Sequence, residues 1–71
     1  MTEENKKAFV QELSLALVMY SRIPIAGIEY KVTDAGIELA EIHYANGSVK
    51  YADITGDSCI AIMKDIAKAL S

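Results

Sequence analysis

The sequence predicts an α+β domain of order αβββα: a three-stranded antiparallel meander with both helices packed on one face. Three observations predict it. Asn46-Gly47 stands between two runs of β-forming residues, the strongest short-range hairpin signal. Thr33-Asp34-Ala35-Gly36 reads as a second tight turn, of type I and closed by a left-handed glycine. Apolar residues recur at helical spacing on both sides of this region.

Taken in order, Thr2 can cap a first helix, with Glu3 and Glu4 favourably placed at the positive end of its dipole. Phe9, Leu13, Ala16, Leu17 and Tyr20 form one stripe along it. Leu15, Val18 and Met19 point roughly the other way, so its last two turns are apolar nearly all round. Packing on one side of a sheet needs only one apolar face, so the surplus needs another cover. Pro24 ends the helix by disfavouring helical geometry in the residue before it.

The strands are expected at about 25–33, 37–45 and 48–54. A two-residue type I′ turn at Asn46-Gly47 opposes Tyr44 to Val49, His43 to Lys50, Ile42 to Tyr51, Glu41 to Ala52 and Leu39 to Ile54. The upstream turn opposes Tyr30 to Ala40, Ile28 to Ile42 and Ala26 to Tyr44. Both turns then place Ile28, Tyr30, Ile42, Tyr44 and Tyr51 on one inner face. The other face carries Gly27, His43 and Lys50, then Glu29, Glu41 and Ala52, then Lys31, Leu39 and Ile54, with Thr33 and Ile37 at its end. After Thr55-Gly56, Asp57 or Ser58 caps a second helix whose inner stripe reads Cys59, Met63, Ile66 and Leu70.

A chain of 71 residues makes one domain, 1–71, near the lower limit for a single core. At 52% hydrophobic it is too apolar for disorder. Its longest apolar run, Leu15 to Tyr20, is far too short to cross a bilayer. No signal-peptide core follows the polar first residues, and a lone cysteine forbids an intrachain disulfide, so a cytoplasmic protein is expected. Seven basic residues are scattered among ten acidic ones, which argues against nucleic acid and anionic membrane as partners.

Few residues point to chemistry. Glu29, Glu41, His43 and Lys50 gather on the open face, where carboxylates near a histidine can do acid–base work. A flat wet face shifts no pKa far, so its first reading is a solvated surface and its alternative a small-ligand or catalytic site. One histidine with scattered carboxylates falls short of a dedicated metal site, and no cofactor is expected. Cys59 reads as a small buried hydrophobe, and Tyr30, Tyr44 and Tyr51 as core rather than a base-stacking platform.

Gly56-Asp57-Ser58 resembles the block that opens a family of serine esterases, but the chemistry needs a histidine beside the serine. The only one, His43, lies on the far sheet face, so the serine reads as a helix cap and no catalytic residue is assigned. The αβββα order resembles double-stranded-RNA-binding domains, which grip phosphates with lysines at the start of the last helix. Here that segment is Asp57-Ser58-Cys59-Ile60-Ala61-Ile62, so the likeness implies the topology and not the binding residues. Tyr44, Asn46-Gly47, Thr55-Gly56-Asp57-Ser58 and Ile62-Met63-Lys64-Asp65-Ile66 are similar to short, functionally unassigned proteins of bacteria and their phages.

The expected function is a non-enzymatic protein–protein interaction module, homodimeric or otherwise homo-oligomeric. Its interface would draw on Leu15, Val18 and Met19 of the first helix and on Ile37, Leu39 and Ile54 of the open face. The alternatives are ligand binding or catalysis at Glu29, Glu41 and His43, and RNA binding by the fold.

Overall fold

The computed structural model describes residues 1–71. Helix α1 spans Glu3–Tyr20, strands β1, β2 and β3 span Ile25–Val32, Glu38–Tyr44 and Val49–Asp53, and helix α2 spans Cys59–Leu70. The strands form one antiparallel sheet in the order β1-β2-β3, with both helices on one face and the other face open.

The helix starts follow from local chemistry. The Thr2 hydroxyl accepts from the Asn5 N–H at 3.1 Å and the Ser58 hydroxyl from the Ala61 N–H at 3.1 Å, each satisfying a donor the helix cannot. Helix α1 ends at Tyr20; Ser21 takes extended backbone, and a bend at Arg22 and Ile23 precedes Pro24.

The first turn forms as expected: the Gly36 N–H donates to the Thr33 carbonyl, the Thr33 N–H to the Ile37 carbonyl, and Gly36 takes φ +81°. It fixes Tyr30 opposite Ala40 and Ile28 opposite Ile42. Ala26 does not face Tyr44 as the sequence suggested; a bulge between Ile25 and Gly27 puts Ile25 there.

The second turn corrects the expected register by one residue. Asn46 keeps a negative φ, and only Gly47 is left-handed, at +90°. The Gly47 N–H donates to the Tyr44 carbonyl and the Tyr44 N–H to the Ser48 carbonyl, so three residues, not two, make the turn. The Asn46 Oδ1 accepts from the Ser48 N–H at 2.9 Å, which holds this alternative in place. His43 therefore faces Val49, Ile42 faces Lys50, Glu41 faces Tyr51 and Ala40 faces Ala52. Because side chains alternate, every β3 residue changes face. Val49 and Tyr51 stand on the open side, while Ala52 and Ile54 enter the core.

That core is Val10 on α1; Ile25, Ile28, Ala40, Ile42, Ala52 and Ile54 around the sheet; and Ile62 and Ile66 on α2. The helices keep part of their expected stripes, with Phe9, Leu13 and Leu17 of α1 and Ile66 and Leu70 of α2 packed on the core. On α1 the inward line is Lys6, Val10, Leu13 and Leu17, while Ala16 and Tyr20 are exposed. On α2 it is Ile62 and Ile66, while Cys59 and Met63 are exposed.

Gly56 marks the tightest approach in the link to α2. A Cβ there would lie 2.7 Å from the Ala61 Cβ. Gly56→Ala is expected to cost about 1–3 kcal/mol by overpacking. Gly36→Ala meets open space and suffers only backbone strain, about 1–2 kcal/mol. Urea midpoints check both; a Gly56→Ala variant as stable as the parent would show the link does not pack on α2.

Candidate functional site

On the open face, β1 and β2 bring Glu29 and Glu41 directly opposite each other, with His43 two residues along on the side of Glu41. His43 Nε2 and Glu41 Oε1 are 2.6 Å apart, and Lys31 Nζ lies 3.1 Å from Glu29. One donor atom each from Glu29, Glu41 and His43 can be chosen so that all lie within 4.8 Å of one another. The sequence thus gathered these three correctly. Three such donors can approach a cation together, but Lys31 competes for Glu29, which is exposed, while Glu41 and His43 are half-buried.

Lys50 does not join them. The register correction turns it to the helix side of the edge strand, where its Nζ lies over the Tyr44 ring at 5.8 Å and donates to the Ala69 carbonyl at 3.3 Å. It is thus a cation at the C-terminal end of α2, opposite in sign to that end of the helix dipole. Tyr51 takes the place beside Glu41 and is 60% exposed.

The interface residues expected from sequence separate in the same way. Leu15, Val18, Met19 and Ile37 are exposed, Leu39 is half-buried, and Ile54 is fully buried and cannot contribute. Val18 lies four residues after Ser14, whose hydroxyl accepts from the Ile28 N–H on edge strand β1, and so shares Ser14's side of α1. Between the helices runs a groove of about 160 Å³, lined only by Leu13, Leu17, Met63, Ile66, Ala67 and Leu70. The most exposed large hydrophobic residues, Tyr20, Met19 and Ile60, also lie on these two helices, at 80%, 69% and 68% exposure.

The polar cluster that sequence reasoning missed lies inside. Lys6 is 1% exposed, and its Nζ donates to Glu38 Oε1 at 2.7 Å, to the Ile54 carbonyl at 3.0 Å and to Asp57 Oδ1 at 3.5 Å. The Tyr30 hydroxyl donates to the other Glu38 oxygen at 2.6 Å. Burial lowers the Lys6 pKa, but its hydrogen bond and charge pairing with Glu38, then those with Asp57, outweigh this and hold it above the ordinary lysine value. The hydrogen bonds from Lys6 and then Tyr30 hold the Glu38 carboxyl below the ordinary glutamate value. Burial first, then Glu38, pushes the Tyr30 phenol up. A lysine so enclosed reaches no substrate; it ties α1 to β2 and to the link before α2. The sequence does carry one signal for it: position 6 falls on the inward line with 10, 13 and 17.

The signs of these shifts fix the pH response. Glu38, with its pKa lowered, contributes stability above its ordinary 4.5 that is lost as pH falls through the folded-state value. Lys6 and Tyr30, with pKa values raised, contribute stability below their ordinary 10.5 and 10.0 that is lost at higher pH. Urea midpoints are expected to be level from about pH 5 to about pH 9 and to fall on both sides. A midpoint that rises on acidification below pH ~4 would contradict the pairing.

No known protein family, curated protein or solved structure matches this chain. No helix is long and apolar enough to cross a membrane.

Proposed function

We propose that this chain is a small non-enzymatic interaction module that associates with copies of itself in the cytoplasm. One observation carries the reading: eleven large hydrophobic residues are exposed, against nine apolar residues buried. Cores of this size supply about 3–5 kcal/mol, and association is a usual supplement. Contiguous exposed apolar surface marks interfaces in otherwise soluble domains. Sedimentation equilibrium from about 1 to about 100 µM is expected to give a mass above the 7.7 kDa of one chain. A strict monomer throughout would overturn the reading.

A second reading is supported by the proximity of Glu29, Glu41 and His43: weak binding of a divalent cation or a small polar ligand on the open face. Zinc titration followed by the His43 ring resonances is expected to shift them in the parent, and to leave no comparable site in Glu41→Gln. Unmoved resonances at millimolar zinc would dispose of the cation form of this reading. Binding of duplex RNA draws only on the topology.

A further inference from the structure

We infer that the outward face of the two helices is a self-complementary surface, on which a second copy lies with its α1 against the first copy's α2. This rests on the self-association reading and names the face, the occupant and the pairing.

The solvent side of a helix that covers a sheet is ordinarily polar. Here α1 turns Ala8, Glu12, Leu15, Ala16 and Met19 outward, and all are exposed. Helix α2 turns out Ile60, Lys64 and Ala67, with Met63 at the groove between the helices. That groove, about 160 Å³, is small beside the roughly 300–1,000 Å³ of small-molecule pockets. Its size and wholly apolar lining suit protruding side chains such as Met19 or Leu15 from a facing helix.

Charge selects a second copy as the occupant. Glu4 and Glu12 are acids on the outward side of α1 and Lys64 and Lys68 bases on that of α2, all four exposed and none with an ion-pair partner in its own chain. No residue three or four places from Glu12 is basic, and none from Lys64 is acidic, so helix-internal pairing accounts for neither. Each helix folds back on its neighbouring strand through a link of four or five residues, and β1 and β3 run the same way, so the helices run side by side in one direction. A two-fold axis along the helices, between two such layers, lays each α1 on the other copy's α2. It brings Glu12 to Lys64 twice, inside an apolar surround. A standard interface takes about 800 Å² from each partner, about one sixth of this chain's 4672 Å².

Glu12→Lys and Lys64→Glu test this, since both sites are exposed and circular dichroism can confirm the fold. Each variant alone sets like charges together twice and is expected to dissociate about tenfold more readily than the parent by sedimentation equilibrium. An equimolar mixture of the two forms a heterodimer in which both pairs are again opposite in sign. Its affinity is expected to return to within about threefold of the parent's. If the parent associates but the single variants do so equally well, or the mixture gains nothing, this pairing is wrong while self-association stands; Leu39→Lys then tests the sheet face. A monomeric parent would remove both.

Discussion

Lys6→Met is expected to destabilise the fold by about 3 kcal/mol, the cost of stranding one member of a buried ion pair. Methionine keeps most of the apolar stem, so the loss comes from what it abandons. Glu38, whose side chain is 23% exposed, keeps only the Tyr30 hydroxyl, and the Ile54 carbonyl loses the Lys6 donor. With only about 3–5 kcal/mol available from so small a core, much of the population should unfold near neutral pH. Adding Glu38→Gln removes the stranded charge and leaves an oxygen for the Tyr30 hydroxyl. The double variant is therefore expected to recover at least half the loss. Urea denaturation at fixed protein concentration measures both; a Lys6→Met protein as stable as the parent would show that the cluster contributes nothing.

Ile54→Ala is the second large effect, expected at about 2–5 kcal/mol, because Ile54 is fully buried and its removal leaves a cavity beneath the helices. Tyr51→Ala, three residues earlier and much larger in volume removed, is expected to cost under about 1 kcal/mol in the isolated chain. The two values decide the register between β2 and β3. Pairing by a two-residue turn would reverse them, with Tyr51 in the core and Ile54 outside. Thermal or urea unfolding of both variants, compared at one concentration, reads the difference.

The sequence made legible what depends on neighbours along the chain. Thr2 and Ser58 cap their helices, Pro24 keeps α1 from continuing, and Thr33–Gly36 turns as its residues require. Asn46-Gly47 was legible as a turn but not as a register, since Asn-Gly serves both the two-residue turn and the three-residue turn that forms. The choice lies in whether Asn46 goes left-handed, and here its side chain instead accepts from Ser48. That one residue moved Tyr51 out, Ile54 in and Lys50 away from the candidate site. Glu29, Glu41 and His43 stayed together because they lie on β1 and β2, whose register the upstream turn sets. Lys6 was not legible as a core residue: its partners stand 32, 48 and 51 positions away, and a lysine near the start of a helix reads as solvated.

The exposed stripe of α1 follows from its composition. Helix α1 is apolar nearly all round in its last two turns, and one sheet can bury only one side of it. Tyr20, Met19 and Leu15 are left standing as a result, and α2 adds Ile60 and Met63. This surface, spread across the two helices, is the observation on which the proposed association rests.

Methyl relaxation by a water-soluble paramagnetic probe, at high and low protein concentration, measures most directly whether another copy covers the helices. At high concentration the Leu15, Met19 and Ile60 methyl groups should be shielded, while Ile37 stays open; dilution should expose all four alike. Leu15, Met19 and Ile60 as accessible as Ile37 at every concentration would contradict it.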